Sequence, residues 1–372
     1  MARDGAGDRP VRGMTYLDYQ ATTPLAPEAL AAMLPWFTDQ HGNPHSAHRA
    51  GRLARAGVEV ARDSVAALLP AGGRLAFTGG ATESINWAIK GSEGGIVTIA
   101  TEHAAVLDSV AAEAAHGRDV TILPVGADGL VDLAAARAAI RPGVGLVAAM
   151  LVNNEIGVIQ PVADLAALAH AVGATMLCDA VQGYGRVAMP EGVDWIALSA
   201  HKVHGPKGIG GLWMRNGAPA TLLHGGDQEG GRSGTLSPAL CAGFGAAATL
   251  MREQAAVDTA HVEHLWQAAR ATLSPARGWT LNGDSARRYH GNVNVRRPGL
   301  DVARLMSDCR DLAFSAGSAC ASGSGRSSHV LRAIGLSEAA ARSSIRIGFG
   351  RDTSEVALVA ALERIADAAA AQ

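Results

Sequence analysis

Between residues 75 and 214 the chain alternates short apolar runs with amphipathic stretches, and polar or glycine-rich turns separate them. The runs at 75–78, 96–100, 120–124, 145–152, 175–178, 193–198 and 209–214 read as buried strands. Stretches at 85–90, 104–116, 133–140 and 162–172 carry helical spacing. Ahead of them, 16–24 is a short strand running into a polar turn, 28–37 a helix behind Pro27, and 50–69 a long amphipathic helix. This alternation predicts a mainly parallel sheet with helices on both faces, an α/β fold. In such sheets functional groups gather where strands end.

Past residue 223 the pattern changes. A polar, glycine-rich loop at 224–234 leads to a helical stretch at 238–269. Strands at 292–295 and 345–348 and an alanine-rich helix at 354–371 follow. The expected boundary lies near Gln254, giving a large domain over 15–254 and a smaller α+β domain over 255–372. The N-terminal segment 1–14 is expected to join the smaller one. Composition narrows the classes. No apolar run approaches the ~20 residues of a membrane span, and the start of the chain is polar, without a signal-peptide core. A net charge of −2 gives no electrostatic case for direct nucleic-acid binding. Cys178, Cys241, Cys309 and Cys320 lack metal-like spacing, so free thiols in a cytoplasmic protein are expected.

The stretch from Ser199 to Gly208 stands out. It places Lys202 at the end of a buried strand, and the chain has only two other lysines, Lys90 and Lys207. A lysine there either snorkels to solvent or is desolvated, with a nucleophilic amine ready for a carbonyl cofactor. Gly79-Gly80-Ala81-Thr82 joins a strand to a helix, either as a capped turn or as a phosphate cradle. Asp179 ends another strand, as a cap or as the partner of a pyridinium N–H. Gln182, Asn154 and His103 also sit just beyond strand ends, where they could meet a ring oxygen, a carboxylate and an aromatic face.

These strings, Gly80-Ala81-Thr82-Glu83-Ser84, Thr101-Glu102-His103, Asn153-Asn154-Glu155-Ile156-Gly157, Asp179-Ala180-Val181-Gln182 and His201-Lys202, occur in that order. With Arg232-Ser233-Gly234-Thr235, Ser318-Ala319-Cys320 and Ser344-Ile345-Arg346, the chain resembles the cysteine desulfurases from Tyr16 to Arg351. These are a branch of the class V aminotransferases with a fold-type-I pyridoxal 5′-phosphate (PLP) architecture. The resemblance implies a mainly parallel, mixed seven-stranded sheet and a homodimer. It makes Lys202 the covalent cofactor lysine, Asp179 the ring-nitrogen partner, Gln182 the donor to the ring oxygen and His103 the stacked ring. Ala81, Thr82, Ser199 and His201 would bind the phosphate, with Thr235 reaching it from a second copy. Asn154 and Arg346 would orient the carboxylate of L-cysteine, and Cys320 would take its sulfur as a persulfide.

Small residues surround Cys320, from Gly317 to Gly325, which suits a travelling thiol. The long segment before Val330 resembles the group that hands sulfur to iron–sulfur scaffold proteins or to tRNA-thiolation partners. Three positions depart from the family: Gly79 for a frequent serine, His204 for a frequent tyrosine, and a glycine-rich loop at 225–231 that is one residue short. Two rival readings are another class V activity, such as transamination or selenocysteine lysis, and an inactive platform for cluster assembly. A thiol on a tether argues against transamination. The intact Lys202, Asp179, His103 and Cys320 argue against the platform.

Overall fold

The structure, a computed structural model, describes residues 13–317 and 327–372. The chain enters through β1 (Thr15–Tyr16) and two helices, α1 (Pro27–Thr38) and α2 (Arg49–Ala66). Proline opens α1, where its missing N–H costs nothing. The His48 ring caps α2 by accepting the Gly51 N–H at 3.2 Å.

Seven strands then build one sheet: β2 (Arg74–Thr78), β3 (Gly95–Ile99), β4 (Val120–Leu123), β5 (Val144–Met150), β6 (Thr175–Asp179), β7 (Trp195–Ser199) and β8 (Gly210–Met214). Their spatial order is β2-β8-β7-β6-β5-β3-β4, and β8 alone runs against its neighbours. The helices α3 (Ala81–Lys90), α4 (Ala104–Ala115), α5 (Leu133–Ala139) and α6 (Val162–Ala171) connect the strands.

Side chains of successive strand residues point to opposite faces, and here both faces are apolar. Ile96, Leu146 and Leu177 pack with Ile85 of α3 and Val106 of α4. Their neighbours Val97, Val147 and Met176 join Val58 of α2 and Leu165 of α6 on the other side. Continuous apolar runs are what such double burial requires. The predicted fold class stands.

The helix α7 (Pro238–Thr272) extends for 35 residues and serves two cores. Its Met251 belongs to the core of the large sheet, and its Val262, Leu265 and Trp266 to a second core. Residue 254 thus lies inside one continuous helix, between the two contact regions. Beyond α7 come β9 (Thr280–Leu281), β10 (Asn292–Arg296), α8 (Val302–Asp308), β11 (Leu312–Ala313) and β12 (Ser315–Ala316). After the undescribed residues follow α9 (His329–Ala333), α10 (Glu338–Arg342), β13 (Ser344–Gly348) and α11 (Glu355–Ala370). An antiparallel sheet of order β12-β13-β10-β9 forms here, and β1 pairs with β11. Leu17, just after β1, packs in this second core. Among the described residues no helix is long and apolar enough to cross a membrane.

The short glycine-rich loop is tied down by one carboxylate. Glu229 is buried, takes two hydrogen bonds from Arg62 of α2 at 2.7 and 2.9 Å, and accepts the Phe77 N–H at 2.6 Å. Arg62 keeps Glu59 as a second partner, but removing Glu229 leaves the buried Phe77 N–H unpaired and takes away two charge-assisted hydrogen bonds, a loss of about 2–3 kcal/mol. Glu229→Ala is therefore expected to lower unfolding stability by that order in a denaturant titration. A loss below about 0.5 kcal/mol, the usual size for a surface site, would show that the loop does not depend on this anchor.

Candidate active site

Strands β2, β3, β5, β6 and β7 share one direction, and the loops after them meet around a cavity of about 730 Å³. Ala81, Thr82, His103, Asn154, Asp179, Gln182, Ser199, His201, Lys202 and Arg346 all line it. Ten residues spread over 266 positions of sequence (346 − 81 + 1) therefore converge on one space. Two expected site residues are not in it. Thr235 is exposed and away from the cavity, and Cys320 lies outside the described residues.

Lys202 closes a short 3-10 turn after β7 (Ala200–Lys202). Its ammonium is held by two backbone carbonyls, Gln20 O at 2.6 Å and Ala21 O at 2.8 Å. The side chain is half-buried, and this acceptor pair comes from the turn that follows β1. Lys207 also lines the cavity, at an exposed position.

At one end of the cavity, α3 starts at Gly80, whose φ of 155° favours glycine. Gly80 offers no side chain to the first-turn N–H groups, which leaves those of Ala81 and Thr82 for an anion. The backbone packs tightly beneath: a Cβ on Gly210 would stand 2.3 Å from Leu198 O and 2.7 Å from the Gly80 Cα. The His201 ring shares a hydrogen bond with the Thr22 hydroxyl at 3.1 Å. Burial, with Lys202 and Lys207 close by, pushes its pKa down to about 4, so it is neutral at pH 7. Gly79, at the position of a frequent family serine, donates its N–H to Glu83 Oε2 at 2.7 Å. Glu83 in turn pairs with Arg232 at 2.7 Å, which brings the 232–235 stretch beside this end.

At the other end stands Asp179. It is buried, and its Oδ1 accepts the Val181 N–H at 2.9 Å. Burial raises its pKa, against the opposing pull of that N–H, His103 and Lys202. The His103 ring accepts the Ala105 N–H at 3.1 Å through Nδ1 and so caps α4. Capping and lining the cavity coincide in this residue. Burial lowers its pKa, against the opposing pull of Asp179. Gln182 donates from Nε2 to Gln20 O at 2.9 Å and is buried.

Arg346 of β13 enters from the second core. It donates to Asn154 O at 3.0 Å, to Asp18 Oδ1 at 2.7 Å and to Ser315 Oγ at 3.3 Å. Its Nε has no partner among the described residues.

Four residues of this neighbourhood lay outside the sequence expectation. Asp18 holds Arg346, and Gln20 and Ala21 receive Lys202; all three lie in the polar turn expected at 16–24, whose partners lie far off in sequence. Glu102 is fully buried, with Oε1 accepting the Met150 N–H at 2.6 Å and Oε2 unpartnered among the described residues. Burial and the neighbouring Asp179 push its pKa well up. A glutamate among buried strand-end residues was the available signal. Cys178, Cys241 and Cys309 are buried, as expected for packing thiols. Burial raises all three, Cys241 to about 12, so none is a ready thiolate.

Lys202, the buried Asp179 and the uncapped start of α3 thus stand together at the strand ends of a mixed seven-stranded sheet. The chain belongs to the class V aminotransferase family: the family model described as "Aminotransferase class-V" matches residues 15–358. Within it, the chain is 42% identical over 357 residues to cysteine desulfurase IscS of Rickettsia bellii, covering 91% of this chain and 87% of that protein. The solved structure titled "NIFS-LIKE PROTEIN" matches with a TM-score of 0.87 at 30% identity, over 95% of this chain and 98% of the other. A second, titled "SspA in complex with cysteine", matches with a TM-score of 0.80 at 34% identity, over 90% and 98%.

Proposed function

We propose that this chain is a PLP-dependent cysteine desulfurase that converts L-cysteine to L-alanine and retains the sulfur as a persulfide on Cys320. The observation that carries this is the convergence of ten motif residues on one strand-end cavity. The donor set fits the cofactor. The uncapped start of α3, with the Thr82 and Ser199 hydroxyls and His201, suits a phosphate. Asp179 is a buried carboxylate in want of a cation, and Lys202 supplies an amine.

When bound, PLP supplies an electrophilic carbon and a ring that accepts an electron pair. Lys202 would hold it covalently, and its amine would take the substrate's α-proton. Asp179 would keep a proton on the ring nitrogen, His103 would cover the ring face and Gln182 would donate to the ring oxygen. Arg346 and Asn154 orient the cysteine carboxylate, an arrangement an arginine fork suits. The remaining balance is simple. L-cysteine and one Cys320 thiol give L-alanine and one persulfide, so no external oxidant is needed. We further propose a cytoplasmic homodimer in which Thr235, exposed in one copy, reaches the phosphate of the other. In the same reading, residues 15–254 form the cofactor-binding domain and 255–372 the smaller one that carries Cys320. The sulfur acceptor is an iron–sulfur scaffold or another thiol-bearing partner.

Cys320→Ser tests the proposal. Serine stays protonated near neutral pH and is a poor nucleophile towards sulfur. The variant is expected to bind PLP, to change its spectrum on adding cysteine, and to release no sulfur. Sulfur-labelled cysteine should leave a reducible label on the unmodified protein and none on the variant. Label on the variant, mapped to Cys178, Cys241 or Cys309, would place the acceptor thiol elsewhere.

A further inference from the structure

Arg186 follows Gln182 by one helical turn of sequence and has no part in the ten-residue cavity. It lines a neighbouring cavity of about 190 Å³ instead. Yet its guanidinium reaches the back of the site. Nη1 donates to Gln182 Oε1 at 3.1 Å and to Gln182 O at 3.4 Å, and Nη2 donates to the Lys202 carbonyl oxygen. The circuit closes through Gln20: its carbonyl accepts from Gln182 Nε2 at 2.9 Å and from Lys202 Nζ at 2.6 Å. From behind, Tyr289 supports the guanidinium, whose carbon lies 5.3 Å from the ring centroid.

This circuit has a chemical consequence. The two ends of a glutamine amide have nearly the same shape, so their neighbours decide which is which. A guanidinium carries donors only, so the atom facing Arg186 must be the carbonyl oxygen. A backbone carbonyl accepts only, so the atom facing Gln20 must be the nitrogen. With Arg186 in place the amide cannot turn over without setting donor against donor at one end and acceptor against acceptor at the other. Its nitrogen keeps one hydrogen for Gln20 and has a second to give.

We propose that Arg186 is a positioning residue for the cofactor site, tying the Lys202 backbone to the Gln182 side chain and holding that amide with its donor end towards the ring oxygen of PLP. The inference rests on the cofactor reading above. Lysine could not substitute, because a single ammonium on a flexible stem cannot span both the Lys202 carbonyl and the Gln182 oxygen in one plane. Asp179, His103 and Lys202 face the same ring on the cavity side. Behind the wall, the titratable groups near Arg186 are His204, Asp258, Arg351 and Tyr289. His204 is buried and held down to about 3, so it stays neutral over the working range.

A spectral titration of the PLP-loaded protein tests this. Donation to the ring oxygen stabilises the form of the bound cofactor that has lost its imine proton, so it lowers the pH at which the visible band changes. Arg186→Ala is expected to raise that midpoint by about one unit or more. Gln182→Ala should do the same, and the double variant no more than either alone. PLP affinity of the apo protein should fall in both single variants, and added ethylguanidinium should return the Arg186→Ala midpoint towards its original value. Should Arg186→Ala not fold, Arg186→Lys carries the test, with a midpoint shifted in the same direction. An unmodified protein that titrates normally while both Arg186 variants titrate with it overturns this inference alone. An unmodified protein with no visible band on PLP addition overturns the cofactor reading and this inference together.

Discussion

Replacing Lys202 with alanine is expected to abolish covalent cofactor attachment and to reduce turnover by more than the removal of a proton shuttle alone. A positioned general base is worth about 10²–10⁴-fold, and the same amine is also the anchoring nucleophile. Borohydride reduction of the unmodified protein, followed by peptide mapping, should place the pyridoxyl group on the peptide that carries Lys202. The competing site is Lys207, which lines the opening but is exposed. Its side chain stands in solvent, away from the carbonyl pair that fixes Lys202. Lys202 is instead fixed by Gln20 O and Ala21 O, and Asp179 and His103 face it across the cavity. Lys207→Ala should therefore leave the visible band in place. A pyridoxyl group recovered on Lys207 in the unmodified protein would overturn the assignment.

Much of this site was legible because strand-end chemistry leaves local signs. Each large-sheet strand is a continuous apolar run closed by polar residues, so Asp179, Ser199 and Lys202 announce themselves at the ends of β6 and β7. Doubly buried strands have no alternating pattern to blur that reading. The same logic failed where elements are short. β9, β11 and β12 have two residues each, and α9 and α10 five, too few for any period to register, and the short strand expected at 16–24 carried no sign of its partners. Those short pieces are what bring Asp18 to Arg346 and Gln20 to Lys202, across 328 and 182 positions of sequence. Contacts of that span follow from how the two cores pack, and no local pattern encodes them. The boundary near residue 254 shows the limit from another side. The pattern changes past residue 223, ahead of α7, and that one long helix serves both cores, so no break in the sequence marks where the chain passes from one to the other.

Asp179→Asn is expected to separate what the carboxylate does for the cofactor from what it costs the apo protein. In the apo chain, burial raises the Asp179 pKa above its unfolded value, in spite of the Val181 N–H, His103 and Lys202. A raised carboxyl makes the folded state bind more protons than the unfolded one. Its stabilising contribution is therefore complete below about pH 4 and is lost as pH rises through the folded pKa. Asparagine of the same shape removes that loss, so the apo variant should be at least as stable as the unmodified apo protein at pH 7. With PLP the order reverses. The unmodified protein gains a cationic ring N–H for its buried carboxylate, which a neutral amide cannot match. Each pH unit by which that ring proton is held less firmly costs about 1.4 kcal/mol, or tenfold. A loss of two to three units would thus reduce turnover by about 100- to 1000-fold, with weaker but detectable PLP binding. Thermal melts of apo and loaded protein at pH 5 and pH 8, beside alanine release from cysteine, measure both arms. If the asparagine variant were destabilised without PLP and still produced alanine at a near-normal rate, Asp179 would be a structural turn residue, and the cofactor ring would lie elsewhere.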